Sequence, residues 1–456
     1  MHLANKSTPY WSALIVCSNI LCTFIVKPHM TDRRKFLKQI SLAGVAGLSA
    51  LSNTSVAAAI DEQLSLHKNS LPIKTASDET FWATIKQAYT ASSNIINLNN
   101  GGVSPSPRVV QDAVERYNTL SNEAPSYYMW RVLDKGREGL RKKLALLAGC
   151  SEEEIAINRN TTEALDNIIF GLDLEAGDEI VLTRQDYPNM INAWKQRAKR
   201  DGIVLKWVNL ELPTEDENYL VKAYSDQFTS KTKLVQVNHV INWSGHINPV
   251  KKIADKAHEM GIEVMVDGAH SFGHFTFDIP SLGADYYGTS LHKWLSAPIG
   301  SGMLWIKKEK ISKIWPLFPG DEPQSDDIRK FEALGTRSFP IEQAIGQAID
   351  FHNMIGSERK EARLRYLKDY WVNQVADLPT VHMNTTVNPK FSCGIANIGI
   401  EGKDPVELDQ YLFKNYNIHS VAITWENIKG VRIAPHVYTS ISDLDRLVRG
   451  IKAFVA

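Results

Sequence analysis

The feature that most constrains the fold is an alternation of short apolar runs with segments of helical period, which begins at about residue 141. Runs of this length and composition are typical of strands that are covered by helices on both faces of a sheet. Between them, residues 189–199 and 249–260 have helical patterns, and Pro249 suits a first helical position. Strand–helix alternation predicts a mostly parallel, helix-covered sheet. The apolar runs are residues 179–183, 204–208, 233–240, 262–266, 286–291 and 302–306.

The predicted fold class is therefore α/β, with a large domain at residues 126–338. At 456 residues the chain exceeds one ordinary domain. After Pro340 the pattern changes to one long helix that continues beyond residue 355, followed by shorter strands and helices. This change predicts a smaller C-terminal α+β domain at residues 339–456, and residues 60–125 are predicted to bridge the two domains.

Residues 1–59 have the features of a leader. The pair Arg33-Arg34 precedes a weakly apolar stretch at residues 40–51. Small residues that suit a cleavage site follow this stretch. This order is that of a twin-arginine export signal within residues 30–59. It predicts a periplasmic protein that the twin-arginine machinery exports in folded form. A basic amphipathic helix on the folded body, in a cytoplasmic protein, is the alternative.

The first 29 residues leave a second question open. Residues 14–26 are apolar but shorter than a typical transmembrane span, and Asn19 interrupts them. We expect an over-extended start, with Met30 as the true first residue. A short membrane anchor is the alternative.

Charge and cysteine content exclude some classes of function. The 51 basic and 51 acidic residues give a formal net charge of zero, and without residues 1–59, which hold six basic and one acidic group, the charge is −5. A mildly acidic body argues against nucleic acid as a partner. The four cysteines have no metal-type spacing, so no metal site is predicted. Whether Cys150 and Cys393 pair is left open.

One lysine and one carboxylate indicate the chemistry. Lys293 follows Ser290 and His292 at the end of a predicted strand, and Asp267 ends another strand twenty-six residues earlier. The carboxyl edge of such a sheet is where ligands bind. A lysine amine there can hold an aldehyde cofactor as a Schiff base, and a buried carboxylate keeps a pyridinium nitrogen protonated and electron-accepting. The predicted cofactor is pyridoxal 5′-phosphate (PLP).

Six segments in a fixed order resemble those of one enzyme family. Between about Asn99 and Arg449 the chain is similar to the class V aminotransferases of PLP fold type I, and within them to the isopenicillin-N-epimerase-like branch. Six motifs in order are far more specific than any one alone. The segments are 158–165 for the phosphate, 186–187 for ring stacking, 238–242 near the ring hydroxyl, 266–270 for the pyridine nitrogen, 290–293 for the Schiff base and 431–436 for the substrate carboxylate.

The resemblance assigns four residues to the phosphate. Thr161 and Thr162 open a predicted helix, whose free backbone N–H groups and hydroxyls suit a dianion. Ordinary helix capping is their structural alternative, and the two roles are compatible. Ser290 and His292 are expected to reach the same phosphate.

Around the cofactor ring the resemblance assigns five further residues. Tyr187 is expected to stack on the ring, at a place where many relatives have histidine. Asn242 and His270 are expected to bind the ring oxygen, and Asp267 the ring nitrogen. Lys293 is expected to serve as Schiff-base partner and then as general base and acid.

Two more residues concern the substrate and the assembly. Arg432 offers a planar fork for a substrate carboxylate, with a surface salt bridge as the alternative role. Thr336 matches a family segment that reaches the phosphate of the partner subunit, so a homodimer with the site at its interface is expected.

The predicted activity is that of an exported PLP-dependent enzyme acting on an amino acid or a peptidyl or siderophore-precursor substrate, by transamination, epimerisation or related chemistry. Cysteine desulfurases of the family carry a nucleophilic cysteine shortly before the carboxylate-binding arginine. Residues 418–429 contain no cysteine, so desulfurase chemistry is not expected. The alternatives are a cytoplasmic amino-acid epimerase or aminotransferase, and a PLP-binding protein without catalysis.

Overall fold

A seven-stranded sheet organises the protein. The computed structural model describes residues 54–456. The strands of the described residues are β1 (Ile96–Asn97), β2 (Ile155–Asn158), β3 (Glu179–Thr183), β4 (Val204–Val208), β5 (Thr232–Asn238), β6 (Val240–Ile241), β7 (His246–Ile247), β8 (Glu263–Asp267), β9 (Tyr286–Ser290), β10 (Gly302–Ile306), β11 (Val381–Met383), β12 (Ala396–Ile400), β13 (Ile418–His419), β14 (Val421–Trp425) and β15 (Ile428–Ile433). Strand order in the seven-stranded sheet is β2-β10-β9-β8-β5-β3-β4, and β10 is antiparallel to both of its neighbours while the other pairings are parallel.

Helices follow most of these strands. The α-helices of the described residues are α1 (Thr54–Leu66), α2 (Pro72–Ala76), α3 (Glu79–Lys86), α4 (Arg108–Glu123), α5 (Pro125–Tyr128), α6 (Asp134–Ala148), α7 (Thr161–Gly171), α8 (Pro188–Asp201), α9 (Glu217–Ser225), α10 (Val250–His258), α11 (Phe339–Ile355), α12 (Ser357–Val372), α13 (Pro405–Tyr416) and α14 (Ile441–Val455). A π-helical turn, Met129–Leu133, links α5 to α6. The predicted α/β class with a mostly parallel, helix-covered sheet is confirmed.

Both faces of the central strands of the large sheet are buried, which explains why these strands are mainly apolar. Val181 and Val264 lie in one hydrophobic cluster. Ile180 and Met265, their neighbours along the same strands, lie in the other. Alternate residues of each strand thus serve two separate cores, as a sheet with helices on both sides requires.

Two predicted helix boundaries were wrong for reasons visible in the backbone, and other predicted helix ends differ by one or two residues. Pro249 precedes the helix as its N-cap residue, with ψ near 65°, and α10 begins at Val250. The long helix expected to continue beyond residue 355 ends there, because Gly356 adopts φ of 92° and a new helix, α12, begins at Ser357. A positive φ of this size favours glycine and cannot continue a right-handed helix.

The C-terminal part contains its own sheet. Strands β11, β12, β15 and β14 pair antiparallel in that order, and α13 and α14 pack with them around a third core. From the N-terminal part, β1 pairs in parallel with β13, and the Ser104 amide donates to the carbonyl of His292. Residues 60–125 therefore contact both the large-sheet part and the C-terminal part of the chain. The predicted domain boundaries stay predictions.

Residues 1–53 of the predicted leader lie outside the described residues, and residues 54–59 form the start of α1. Within residues 54–456 no helix is long and apolar enough to cross a membrane. Cys150 and Cys393 are both free thiols, which answers the question of their pairing.

Candidate active site

The motif that contains Asp267 and the motif that contains Lys293 meet at the carboxyl edge of the large sheet. Asp267 is the last residue of β8 and Ser290 the last of β9, and these two parallel strands are neighbours. Lys293 follows β9 by three residues, in the turn that leads away from the edge. Ligands of open α/β sheets bind at this edge. The sequence predicted that Asp267 and Lys293 lie there.

One end of the site suits a phosphate dianion. Asn160 caps α7 by accepting from the amide of Glu163 at 2.9 Å. The Thr161 amide donates to Ser290 Oγ at 3.0 Å, and the two hydroxyls lie 2.7 Å apart. Thr162 Oγ1 accepts from an amide side chain on α8 at 3.3 Å. Hydroxyls and free N–H groups at a helix N-terminus are the donor set that phosphate requires.

His292 can donate a hydrogen bond to a phosphate only when both of its ring nitrogens are protonated. Its Nδ1–H donates to the Ser301 carbonyl at 2.9 Å, and burial lowers its pKa. The neutral ring therefore has an unprotonated Nε2. A phosphate contact through Nε2 requires the doubly protonated ring, which a neighbouring dianion favours.

The amine of Lys293 has a pKa well below that of an ordinary lysine. Burial lowers the pKa of its ammonium to about 8, Asp267 acts in the opposite direction and Arg432 adds to the lowering. Its Nζ lies 3.2 Å from His270 Nε2. With this pKa, about a tenth of the amine is unprotonated at pH 7, far more than in a lysine with the ordinary pKa. Only the unprotonated form bonds to an aldehyde or takes up a proton.

Asp267 is a buried carboxyl group that fits a cationic ring nitrogen. It is 6 % exposed, its Oδ1 accepts from the amide of Ala269 at 3.0 Å, and burial raises its pKa while that hydrogen bond and Lys293 lower it. A buried charge of this kind is stabilised by an opposite charge with hydrogen-bonding capacity. A protonated pyridine nitrogen supplies both.

Tyr187 belongs to a series of three stacked rings. It is 42 % exposed, and its ring lies 6.4 Å from that of Trp243 at 26°. Trp243 stacks in turn on Trp425 at 5.2 Å and 25°. Both indole N–H groups donate to backbone carbonyls of the loop before Tyr187, at 2.9 and 2.8 Å. The exposed phenol ring is thus supported from behind, as a stacking surface requires.

Arg432 is buried and pairs with no carboxylate among the described residues. It is 6 % exposed, and burial lowers its pKa to about 10. Nη1 donates to the backbone carbonyl of Asn242 at 3.1 Å and Nη2 donates to Asn99 Oδ1 at 2.7 Å, while Nε has no protein partner. The alternative role, a surface salt bridge, does not fit this environment. A buried guanidinium without an anion suits an anionic ligand.

Sequence reasoning missed three residues of this region. The first is Asn99, whose side-chain oxygen accepts from Arg432 and so orients it. In the sequence Asn99 marked only the start of the family resemblance. The other two are Trp243, which directly follows Asn242, and Trp425, which lies in the cysteine-free segment 418–429; their rings stack on each other. Thr336, by contrast, is exposed at the surface between α11 and the preceding 3₁₀ turn, and its role toward a partner subunit stays a prediction.

The sequence model of the family Aminotransferase class-V matches residues 96–447. The chain belongs to the class V aminotransferase family. Members of this family are PLP-dependent, so the predicted cofactor is confirmed, and the donor set described above fits it. Among the described residues no cluster of histidine, cysteine or carboxylate side chains could hold a metal ion.

Two of the proteins to which this class V chain is similar carry the names of different enzymes. Isopenicillin N epimerase of Streptomyces clavuligerus is 28 % identical over 390 residues, which are 82 % of this chain and 98 % of the relative. A protein of Halalkalibacterium halodurans named "Probable cysteine desulfurase" is also 28 % identical, over 79 % of this chain and 93 % of its own length.

A solved structure shows the fold of the class V chain. It is a lysine-to-alanine mutant of C-DES with glycine covalently linked to the PLP cofactor, and it has a TM-score of 0.72 at 22 % identity, covering 80 % of this chain and 98 % of its own. The predicted PLP fold type I is thereby confirmed.

We predict that borohydride fixes the cofactor to Lys293 and not to Lys360. Lys360 is a matched control, because it is also buried and its pKa is lowered further, to about 7. It donates to the Trp294 carbonyl, however, and lies 3.4 Å from His352 Nδ1, away from Asp267 and Ser290. Peptide mapping after reduction measures the site of attachment.

The capture of PLP by cofactor-free protein should also depend on pH. Because the lowered pKa is about 8, the rate should rise with pH and level off above that value rather than near 10.5. Labelling at Lys360, or a rate that still rises steeply at pH 9.5, would contradict the assignment.

Proposed function

We propose that this chain is an exported PLP enzyme that moves a proton at the α-carbon of an amino acid, or of a peptidyl or siderophore-precursor substrate, that carries a free carboxylate. Epimerisation and transamination are the two reactions that such a proton transfer serves. The observation that carries the proposal is the buried guanidinium of Arg432, without a carboxylate partner among the described residues and close enough to Lys293 to lower its pKa.

The division of work among the residues follows from their geometry. When bound, PLP supplies an electron-withdrawing ring that weakens the bonds of the substrate's α-carbon. Arg432, held by Asn242 and Asn99, binds the carboxylate and so fixes the orientation of that carbon. Lys293, as a neutral amine, takes up the proton and returns it.

Cysteine desulfurase activity is the second candidate, because one of the similar relatives is named for it. The residues before Arg432 argue against it. In this chain they form a β-hairpin, β14 and β15, in which Trp425 packs on Trp243 and its indole N–H donates to a backbone carbonyl. A nucleophile that must approach a substrate has no counterpart in this hairpin.

The two thiols of the described residues are also unsuited to this role. Burial raises the pKa of Cys150 to about 12 and that of Cys393 to about 11. Since the thiolate is the nucleophile, neither thiol is activated at neutral pH. Cys393 moreover donates to the Gly245 carbonyl at 3.4 Å, within the protein core.

Export and dimer formation are further parts of the proposal. The leader within residues 30–59 supports a periplasmic enzyme, and the exposed position of Thr336 is compatible with contact to a partner subunit. A periplasmic enzyme meets peptides and secreted metabolites, which motivates the peptidyl or siderophore-precursor substrate. Mass spectrometry of the mature N-terminus tests export, since a cytoplasmic enzyme would keep residues 30–59.

Solvent deuterium exchange tests the proposed reaction. The enzyme is incubated in D₂O with a panel of amino acids and, as controls, with their α-carboxamides, and products are analysed by mass spectrometry and chiral chromatography. We expect deuterium at the α-carbon of the acids, much less in the amides, and none with Lys293→Ala. Sulfide release from cysteine without exchange in any amino acid would overturn the proposal.

Replacement of Arg432 by lysine should separate binding from folding. An ammonium cannot copy the two-pronged contact of the guanidinium with a carboxylate. A charge-assisted pair of this kind contributes about 1.5–3 kcal/mol, so Arg432→Lys should lower kcat/KM about tenfold to hundredfold. Steady-state kinetics and the cofactor absorbance measure the effect. Unchanged kinetics with normal absorbance would show that no free carboxylate is recognised there.

A further inference from the structure

The residue after the cofactor lysine, Trp294, is fixed between two histidine rings. It is completely buried. Its indole stacks on His274 with ring centroids 3.6 Å apart at 23°, and it lies parallel to His436 at 5.9 Å and 15°. Its backbone carbonyl accepts from the buried ammonium of Lys360. The plane of the indole, and with it the direction of its N–H group, is therefore set by packing.

That N–H group determines where His270 carries its proton. Trp294 Nε1 lies 3.4 Å from His270 Nδ1. An indole nitrogen can only donate, so Nδ1 accepts and is unprotonated. Burial lowers the pKa of His270 well below its usual value, so the ring is neutral. Its single proton must then be on Nε2, the atom that lies 3.2 Å from Lys293 Nζ.

His274 is held in one tautomer by the same logic. The Gly394 amide donates to its Nε2 at 2.8 Å, so the proton is on Nδ1, which donates to the His270 carbonyl at 2.9 Å. A Cβ atom at residue 394 would lie 2.8 Å from that Nε2, so this approach requires glycine. His274 thus anchors the backbone of His270 while its ring supports Trp294.

We propose that Trp294 is a positioning residue that fixes neutral His270 as the Nε2-protonated tautomer, which donates its hydrogen bond toward Lys293 Nζ. A donor at this place requires Nζ to accept, and only the unprotonated amine has a lone pair to do so. The tautomer therefore favours the reactive form of Lys293. The inference concerns the chain's own residues and holds whichever reaction the enzyme catalyses.

The proposal is tested on ¹⁵N-histidine-labelled protein, both as the holoenzyme and without cofactor. Long-range ¹H–¹⁵N spectra identify the protonated nitrogen of each ring, and His270→Gln assigns the His270 signals by their loss. We expect His270 to carry its proton on Nε2 alone. In Trp294→Phe, which keeps an aromatic ring between the histidines but has no N–H, the Nδ1-protonated form should become populated.

Trp371→Phe is the matched control. Trp371 is also completely buried, and its Nε1 has no hydrogen-bond partner among the described residues, so the substitution removes the same atoms without removing a hydrogen bond. The His270 tautomer should be unchanged in it. As a second readout, PLP capture at pH 7 should slow about fivefold in Trp294→Phe, the effect of one lost hydrogen bond of about 1 kcal/mol, and not in Trp371→Phe.

Three results would overturn the proposal. The first is a wild-type His270 protonated on Nδ1, which can be observed even if Trp294→Phe does not fold. The second is a Trp294→Phe protein in which His270 keeps its proton on Nε2 alone. The third is an equal change in Trp371→Phe, which would assign the effect to lost packing rather than to the indole N–H group.

Discussion

A carboxyl group buried at the end of a central strand determines the arrangement of the site. Asp267 ends β8, which β5 and β9 flank on either side, so its backbone cannot move independently of the sheet. Burial raises its pKa, and the amide of Ala269 and the charge of Lys293 act in the opposite direction. A cation that can also donate a hydrogen bond stabilises an ionised carboxylate at such a buried place. We propose that the protonated ring of the cofactor supplies this cation and that the buried carboxylate keeps the ring electron-accepting.

Small residues around Asp267 make this arrangement possible. A Cβ atom on Gly268 would lie 2.0 Å from Tyr287 Cζ, and one on Gly288 would lie 2.7 Å from Leu165 Cδ2. The first close approach seats the loop after β8 against β9, and the second brings α7 onto the sheet. The N-terminus of α7, which suits the phosphate, is thereby brought to the same edge as Asp267 and Lys293.

The sequence predicted the sheet and its edge because both depend on local patterns. The strands at residues 179–183, 204–208 and 302–306 have the predicted bounds, since apolar runs of this length between turns leave few alternatives. The contacts of Trp294 with His274 and His436, and of Trp243 with Trp425, were not predictable in this way. They join residues that are far apart in the chain, and side-chain direction in irregular loops has no period that a sequence displays.

The hairpin of β14 and β15, which carries Arg432, shows that the same limit of sequence-based prediction applies to the functional site. Its sequence excluded a cysteine nucleophile there, but the stacked rings of Tyr187, Trp243 and Trp425 follow only from the fold. These rings join the hairpin to the loop that carries Tyr187. The structure thus links the segment that lacks the desulfurase cysteine to the tyrosine that is predicted to stack on the cofactor.

The most direct test of this account is the variant Asp267→Asn. The amide has the same size but no charge, so the ring nitrogen should lose its proton while the packing is retained. We expect the melting temperature of the cofactor-free variant to change little and its kcat, with PLP bound, to fall roughly a thousandfold, or about 4 kcal/mol of activation free energy. Near-normal turnover by folded Asp267→Asn would contradict the claim that this buried carboxylate maintains the charge of the cofactor ring.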